Sequence, residues 1–348
     1  MPSIAYSLGA IVRNSLRMEA DHFRTDLPHE KAMRLAKDHL ELIEVETVSY
    51  CNRTCSFCPN QFIDRRSEKH AMPEHTWQAV LAGLRELDYD GTFVWSRYSE
   101  PLSERRIVDR IREVRAAAPR SRICANTNGD YLNASYLDEL ASVGLNRLFV
   151  DLYIPDAETY DLDVAREYHS KFEQRIGKHC TLLAAEPEYH CVVDYEPITI
   201  TTHARNIISM KRQDLSSRGG LITLARRTTR VAPCFAPYKH LVIDWDGSVV
   251  VCCQVRSDSS QHTNTVVGRI GSESGCVSLV QAYVNLAGWR ESLRSFGPKA
   301  QPCDSCNVGE YRANTATKVA SSLLSQTSFI PSLVKLAVRP VLKRRQRW

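Results

Sequence analysis

Apolar positions along the chain switch repeatedly between two periods. Leu40, Leu42, Ile43, Val45 and Val48 read as a strand, and the stretch from His75 to Leu87 has helical spacing. The alternation recurs, with strands over Thr92 to Ser96, Arg122 to Ala125 and Arg147 to Tyr153. Helices fall over Glu104 to Ala117, Ala134 to Val143 and Ala157 to Ile176. Short strands separated by whole helices imply βα units and a parallel sheet, and right-handed crossovers curl such units into an open or closed barrel.

Beyond residue 176 the texture changes. Cys191 to Tyr195 and Ile198 to Thr201 are strand-like, and Gly219-Gly220 marks a turn. Leu241 to Asp244 and Ser248 to Val251 flank Trp245-Asp246-Gly247, a hairpin signal that opens a small cysteine-rich β region. Residues 1–38 are polar and helix-prone, and read as an appendage. Pro331 and Pro340 break any long helix in the Ser-, Thr- and base-rich tail, residues 311–348.

The chain has 348 residues, 43% hydrophobic and 24% charged, values of an ordinary folded protein long enough for a full core. Lys335, Arg339, Lys343, Arg344, Arg345 and Arg347 account for the net charge of +5, so the body is near neutral. Such a tail suits a solvated terminus or contact with an anionic surface. Without interleaved aromatics or a nucleic-acid motif, no nucleic-acid partner is expected.

Ser7, Gly9, Arg13 and Asn14 interrupt the first apolar positions, which speaks against a signal peptide. No stretch approaches the roughly 18 apolar residues that cross a bilayer. The twelve cysteines are therefore expected as free thiols or metal ligands in a reducing cytoplasm.

Two groups of cysteines carry candidate chemistry. Cys51, Cys55 and Cys58 lie in one loop directly after the first strand and before Pro59. Structural zinc closes its shell with four ligands, whereas three cysteines on a cubane cluster leave one iron open to another ligand. The second group is Cys234, Cys252, Cys303 and Cys306, a closed four-ligand set that fits either zinc or an iron–sulfur cluster. Cys253 competes with Cys252, since alternation along a strand turns only one of them toward a metal. Cys124, Cys180, Cys191 and Cys276 read as buried free thiols, with a hydrogen-atom donor as the alternative, and His190 reads as structural.

Cys51-Asn52-Arg53-Thr54-Cys55-Ser56-Phe57-Cys58 resembles the signature of the radical S-adenosylmethionine (SAM) superfamily, Cys-x3-Cys-x2-Cys with an aromatic before the last cysteine. The resemblance implies a partial (βα)6 TIM-like barrel of the radical SAM type over residues 39–225. It also implies that Cys51, Cys55 and Cys58 hold a [4Fe–4S] cluster whose open iron binds SAM. Reductive cleavage of SAM then gives a 5′-deoxyadenosyl radical that abstracts hydrogen from a substrate C–H bond, with Phe57 lying against the adenine.

Tyr98-Ser99-Glu100-Pro101 is similar to the family's Gly-Gly-Glu-Pro segment, which makes Glu100 the acceptor of the SAM amino group. Tyr98 and Ser99 replace both glycines, a departure that bears on how closely backbone approaches SAM. Asn126-Thr127-Asn128-Gly129 resembles the third-strand loop, implying that Asn126 and Asn128 bind ribose or carboxylate. Trp95 and Arg97 lead into the Glu100 loop.

Gly247-x4-Cys252 with Cys303-x2-Cys306 resembles the SPASM and twitch auxiliary-cluster domains, placed here at residues 226–310. With no cysteine after Cys306, one auxiliary [4Fe–4S] cluster is implied, and the glycine spacing favours Cys252 as its ligand. Supplying electrons at about −400 mV or below implies a flavodoxin- or ferredoxin-type donor.

The preferred activity is oxidation or epimerisation at a carbinol carbon of a sugar or aminocyclitol. A rival is maturation of a ribosomal peptide by thioether, crosslink or epimer formation. A non-enzymatic zinc or iron–sulfur scaffold is a third reading.

Overall fold

The computed structural model describes residues 8–155, 161–185, 188–205, 215–225 and 228–308; the basic tail lies outside them. Its βα units follow the sequence pattern closely. They are β1 (Leu42–Val45), α3 (Glu74–Glu86), β2 (Thr92–Trp95), α4 (Ile107–Ala117), β3 (Arg122–Thr127), α5 (Ala134–Ser142), β4 (Arg147–Tyr153) and α6 (Leu162–Ile176). Local chemistry sets several ends. Asn133 caps α5 by accepting from the Tyr136 amide at 2.9 Å, Asp161 caps α6 from Val164 at 2.7 Å, and Gly177 closes α6 at φ +64°.

Beyond α6 the chain forms three strands, β5 (Thr181–Ala184), β6 (Tyr189–Tyr195) and β7 (Ile198–Arg205). β6 pairs antiparallel with β7, and β7 runs parallel to β4. The cysteine-rich region begins with the short helix α7 (Ala236–Lys239), then β8 (His240–Ile243) and β9 (Ser248–Val250), and later β10 (Val266–Arg269). Gly247 turns the β8–β9 hairpin at φ +85°, where a Cβ would come within 2.7 Å of the Ile270 carbonyl. β8 does not stand apart: it pairs in parallel with β1, placing Leu42 opposite His240 and Val45 opposite Ile243. All ten strands thus share one mixed sheet, in the order β10-β9-β8-β1-β2-β3-β4-β7-β6-β5.

Strand parity decides what each face holds. On β4, Leu148, Val150 and Leu152 are buried against the helices, while Arg147, Phe149, Asp151 and Tyr153 point to the other face. β1 follows the same rule, with Ile43 and Val45 in the main core beside Trp77, Phe93 and Trp95. Glu44 therefore faces the opposite side, in register with Val94, Cys124 and Arg147 on successive strands. Each large apolar side chain buried this way contributes about 1.5–3 kcal/mol.

The N-terminal segment is more than an appendage. α1 (Leu8–Leu16) places Ile11 against Phe235 and Tyr238. α2 (His29–His39) inserts Ala32, Leu35 and Ala36 into the main core, where they meet α8 (Leu279–Asn285). Its polar residues occupy the outer face, so the composition of the segment conceals an apolar stripe. α9 (Ala287–Leu293) adds the buried Arg290, which donates to the carbonyls of Pro237 at 2.9 Å and His22 at 3.3 Å.

Candidate active site

The three-cysteine loop leaves the C-terminal end of β1 and is clamped from several directions. The Cys51 amide donates to the Arg65 carbonyl at 3.0 Å and that of Cys58 to Cys55 at 2.9 Å. Arg53 grips Asp130 with two bonds of 2.6 and 2.7 Å and donates to the Tyr153 carbonyl at 3.1 Å. Asn60 donates to the Tyr98 carbonyl at 2.7 Å. The loop is thus tied to the ends of β2, β3 and β4, where a barrel of parallel strands gathers its reactive groups.

Glu100 is 2% exposed and is held by three donors. Its Oε1 accepts from the Thr127 hydroxyl at 2.6 Å and the Leu102 amide at 2.9 Å, and its Oε2 from the Asn128 amide at 2.7 Å. Burial nevertheless pushes its carboxyl up to about 7, against these donors. Burial also raises the Cys51 thiol to about 12, with the charges of Glu100 and Cys58 adding to the effect. Thiolates at such a place call for a compensating cation.

The two asparagines differ. Asn126 donates to the Ser96 hydroxyl at 3.1 Å, and its buried Oδ1 has no partner, leaving an acceptor open to a ligand. The Asn128 side chain is engaged at both ends, donating to Asn52 at 2.8 Å and accepting from the Asp130 amide at 3.0 Å. Phe57 lies 5.0 Å from the Tyr153 ring and packs against Leu215, Ile222 and Ala225.

The second cysteine set converges from three places in the sequence. Burial and the charges of Cys303, Cys234 and Cys306, along with that of adjacent Cys253, push the Cys252 thiol well above the ordinary range. Cys303 is raised to about 12 by burial, with Cys234 and Cys306 beside it. The neighbours Cys252 and Cys253 both follow the end of β9, in a bend and turn, and face different surroundings there. Cys252 joins this set, whereas Cys253 looks the other way, toward Glu44, Arg218 and Arg97, and accepts from Gln254 Nε2 at 3.4 Å.

Both donor sets consist of cysteine alone, the ligand chemistry of iron–sulfur clusters. Among the described residues no three His, Cys, Asp or Glu side chains are drawn together tightly enough for a single metal ion. All-cysteine donor sets of three and of four have the ligand chemistry that fits a cubane cluster.

Close to Cys58 and Cys253 lies a buried polar cluster that sequence reasoning did not find. Glu44 is buried, the Ser96 hydroxyl hydrogen-bonds its carboxylate, and burial pushes it up. The Arg218 guanidinium sits 5.6 Å from the Tyr98 ring, within electrostatic reach of Cys253, Cys58 and Tyr153. Tyr98 itself donates from its hydroxyl to the Cys253 carbonyl at 3.1 Å. The only sequence signal for Glu44 is an acid inside an otherwise apolar strand.

Cys124, Cys180 and Cys191 are buried free thiols and Cys276 is partly exposed. Arg97 pairs with Asp244, so it points into this polar interior, and Trp95 belongs to the core.

Comparison with known proteins agrees with this arrangement. Residues 45–188 match the Radical SAM superfamily, and residues 234–307 match SPASM, an iron–sulfur cluster-binding domain. The second match begins at Cys234 and takes in Cys252, Cys303 and Cys306. The chain is similar to the S-adenosyl-L-methionine-dependent 2-deoxy-scyllo-inosamine dehydrogenase of Niallia circulans, with 25% identity over 268 residues, 76% of this chain and 92% of that one. Its fold is similar to the crystal structure of BtrN in complex with AdoMet and 2-DOIA. That likeness has a TM-score of 0.52 and 23% identity, and covers 73% of this chain and 87% of the other.

Proposed function

As a radical SAM enzyme with a SPASM domain, SAM and two [4Fe–4S] clusters, this chain, we propose, oxidises a carbinol carbon of an aminocyclitol or closely related amino sugar to a carbonyl. When bound, the cofactors supply removal of a hydrogen atom from an unactivated C–H bond and uptake of one electron. Cys51, Cys55 and Cys58 hold the SAM-binding cluster, and Cys234, Cys252, Cys303 and Cys306 the auxiliary one. Glu100 receives the SAM ammonium, Phe57 lies along the adenine, and the open Oδ1 of Asn126 accepts from the ribose. A flavodoxin- or ferredoxin-type protein delivers the reducing electron.

Removing a carbinol hydrogen leaves a proton and an electron still to depart. Burial raises the Glu44 carboxyl above its ordinary value, which makes it a stronger base, and it is the proton acceptor for the hydroxyl; Arg218 orients the oxygen. One observation supports the reading: Cys252 lies with Cys303, Cys234 and Cys306 while the adjacent Cys253 lies near Glu44, so the second cysteine set and a buried acid are neighbours. Among the described residues no helix is long and apolar enough to cross a membrane.

Cys253 favours a second reading. Its thiol lies near Glu44, Arg218 and Arg97 and can return a hydrogen atom to the opposite face of the carbon, which is epimerisation. Anaerobic turnover of 2-deoxy-scyllo-inosamine and related aminocyclitols in deuterated water separates the two. Oxidation releases a carbonyl product lighter by one H2 and free of solvent deuterium. A deuterium-labelled isomer at the inverted carbon overturns the oxidation reading in favour of the second.

A further inference from the structure

The auxiliary cysteines are accompanied by a buried cation. Arg230 is 1% exposed and reaches two of the three segments that carry the set, those of Cys234 and of Cys303 and Cys306. Its Nη2 donates to the Pro233 carbonyl at 2.7 Å and its Nε to Ala232 at 3.1 Å, just before Cys234. Its Nη1 donates to the Val308 carbonyl and stands 3.9 Å from Cys306 Sγ. The backbone is tied as well, with the Arg230 amide donating to the Asp304 carbonyl at 2.6 Å. Lys299, held by the carbonyls of Ser295 at 2.5 Å and Ser292 at 3.4 Å, is a second cation within electrostatic reach of Cys234 and Cys303.

A guanidinium stays charged at any pH a protein survives. Its Nε, Nη1 and Nη2 each donate to a backbone carbonyl, so its position is set by backbone geometry. A fixed positive charge and a hydrogen bond to a ligand sulfur both stabilise the more negative, reduced form of an iron–sulfur cluster. We propose that Arg230 raises the reduction potential of the auxiliary cluster and so tilts the fate of the substrate radical toward electron loss.

This inference rests on the oxidation reading. There the carbinol radical forms its carbonyl by giving its hydroxyl proton to a base and one electron to the oxidised auxiliary cluster. Arg230 touches neither substrate nor SAM site, and is a positioning residue that acts through Cys306. Raising the acceptor's potential leaves SAM cleavage untouched and favours electron departure over hydrogen return.

The test is a redox titration of the two-cluster holoenzyme followed by electron paramagnetic resonance, without substrate, so its outcome is independent of the oxidation reading. R230Q is expected to shift the auxiliary reduction equilibrium by about tenfold toward the oxidised form, about 59 mV for a one-electron couple. The SAM-binding cluster should keep its potential. R230K retains the charge while reaching fewer acceptors, and is expected to shift the equilibrium less than R230Q. If R230Q loses the auxiliary cluster, K299Q should move the equilibrium in the same direction by a smaller factor. An unchanged auxiliary equilibrium in R230Q, or in K299Q where R230Q loses the cluster, reduces Arg230 to a loop anchor and overturns the proposal, as does an equal shift in R230K and R230Q.

Discussion

Arg97 and Asp244 form an ion pair at 2.5 Å, joining the end of β2 to the end of β8, with side chains 0% and 1% exposed. The other Asp244 oxygen accepts from the Ser257 amide at 2.9 Å, and Arg97 also donates to the Val255 carbonyl at 2.9 Å. Arg97 holds φ at +93°, a conformation costing a non-glycine residue about 1–3 kcal/mol. The pair thus locks the loop after Cys252 onto the loop that carries Glu100. D244N leaves a buried guanidinium without its counter-charge and is expected to destabilise the fold by about 3–5 kcal/mol, read by chemical denaturation. A loss below 1 kcal/mol would show that the pair does not join the two loops energetically.

Three ligands plus four predict the metal content. Anaerobically reconstituted protein should contain about eight irons per chain and little zinc. Four irons with one zinc would sink the auxiliary-cluster assignment and leave the SAM site standing.

Alanine at Cys51, Cys55 or Cys58 should abolish reductive cleavage of SAM, because that cluster both binds SAM and passes the electron. Alanine at Cys303 or Cys306 should leave cleavage in place while substrate turnover falls. Full turnover in those two variants would make the second set purely structural.

E44Q tests the proton acceptor. The amide keeps the shape and cannot take a proton, so carbonyl formation should fall by about 10²–10⁴-fold. Formation of 5′-deoxyadenosine should continue. Equal loss of both products would instead assign Glu44 to SAM binding.

Acid should weaken the fold through two buried histidines. Burial holds His169 at about 4, its Nδ1 near the Thr202 hydroxyl and its Nε2 near the Tyr189 carbonyl, each at 3.3 Å. Burial lowers His22 as well. A depressed histidine stays neutral in the folded state while the unfolded chain takes up a proton below about 6.5. The stability these residues contribute is therefore present above pH 6.5 and drains away as pH falls toward 4, by on the order of 3 kcal/mol for His169. H169Q should flatten the decline in melting temperature between those pH values; an unaltered slope contradicts the assignment.

Much of this protein follows from local sequence. The period of the apolar positions fixes the βα order through β4, because facing and burial repeat within a few residues of one another. The spacing of Cys51, Cys55 and Cys58 confines three ligands to one loop, so their chemistry needs no distant partner to be read. Tertiary structure alone decided the rest. Whether Cys252 or Cys253 lies with the second set depends on how the turn after β9 packs. The parallel pairing of β8 with β1 joins residues far apart in sequence, as does the burial of α2, whose polar outer face hides its apolar stripe. Asn128 resembles a ligand in a turn motif, yet its amide is engaged by Asn52 and Asp130. Glu44, Arg218 and Arg230 carry no motif at all. Their roles arise because folding removes water from a charge and chooses its neighbours, and neither is written in the residues beside it.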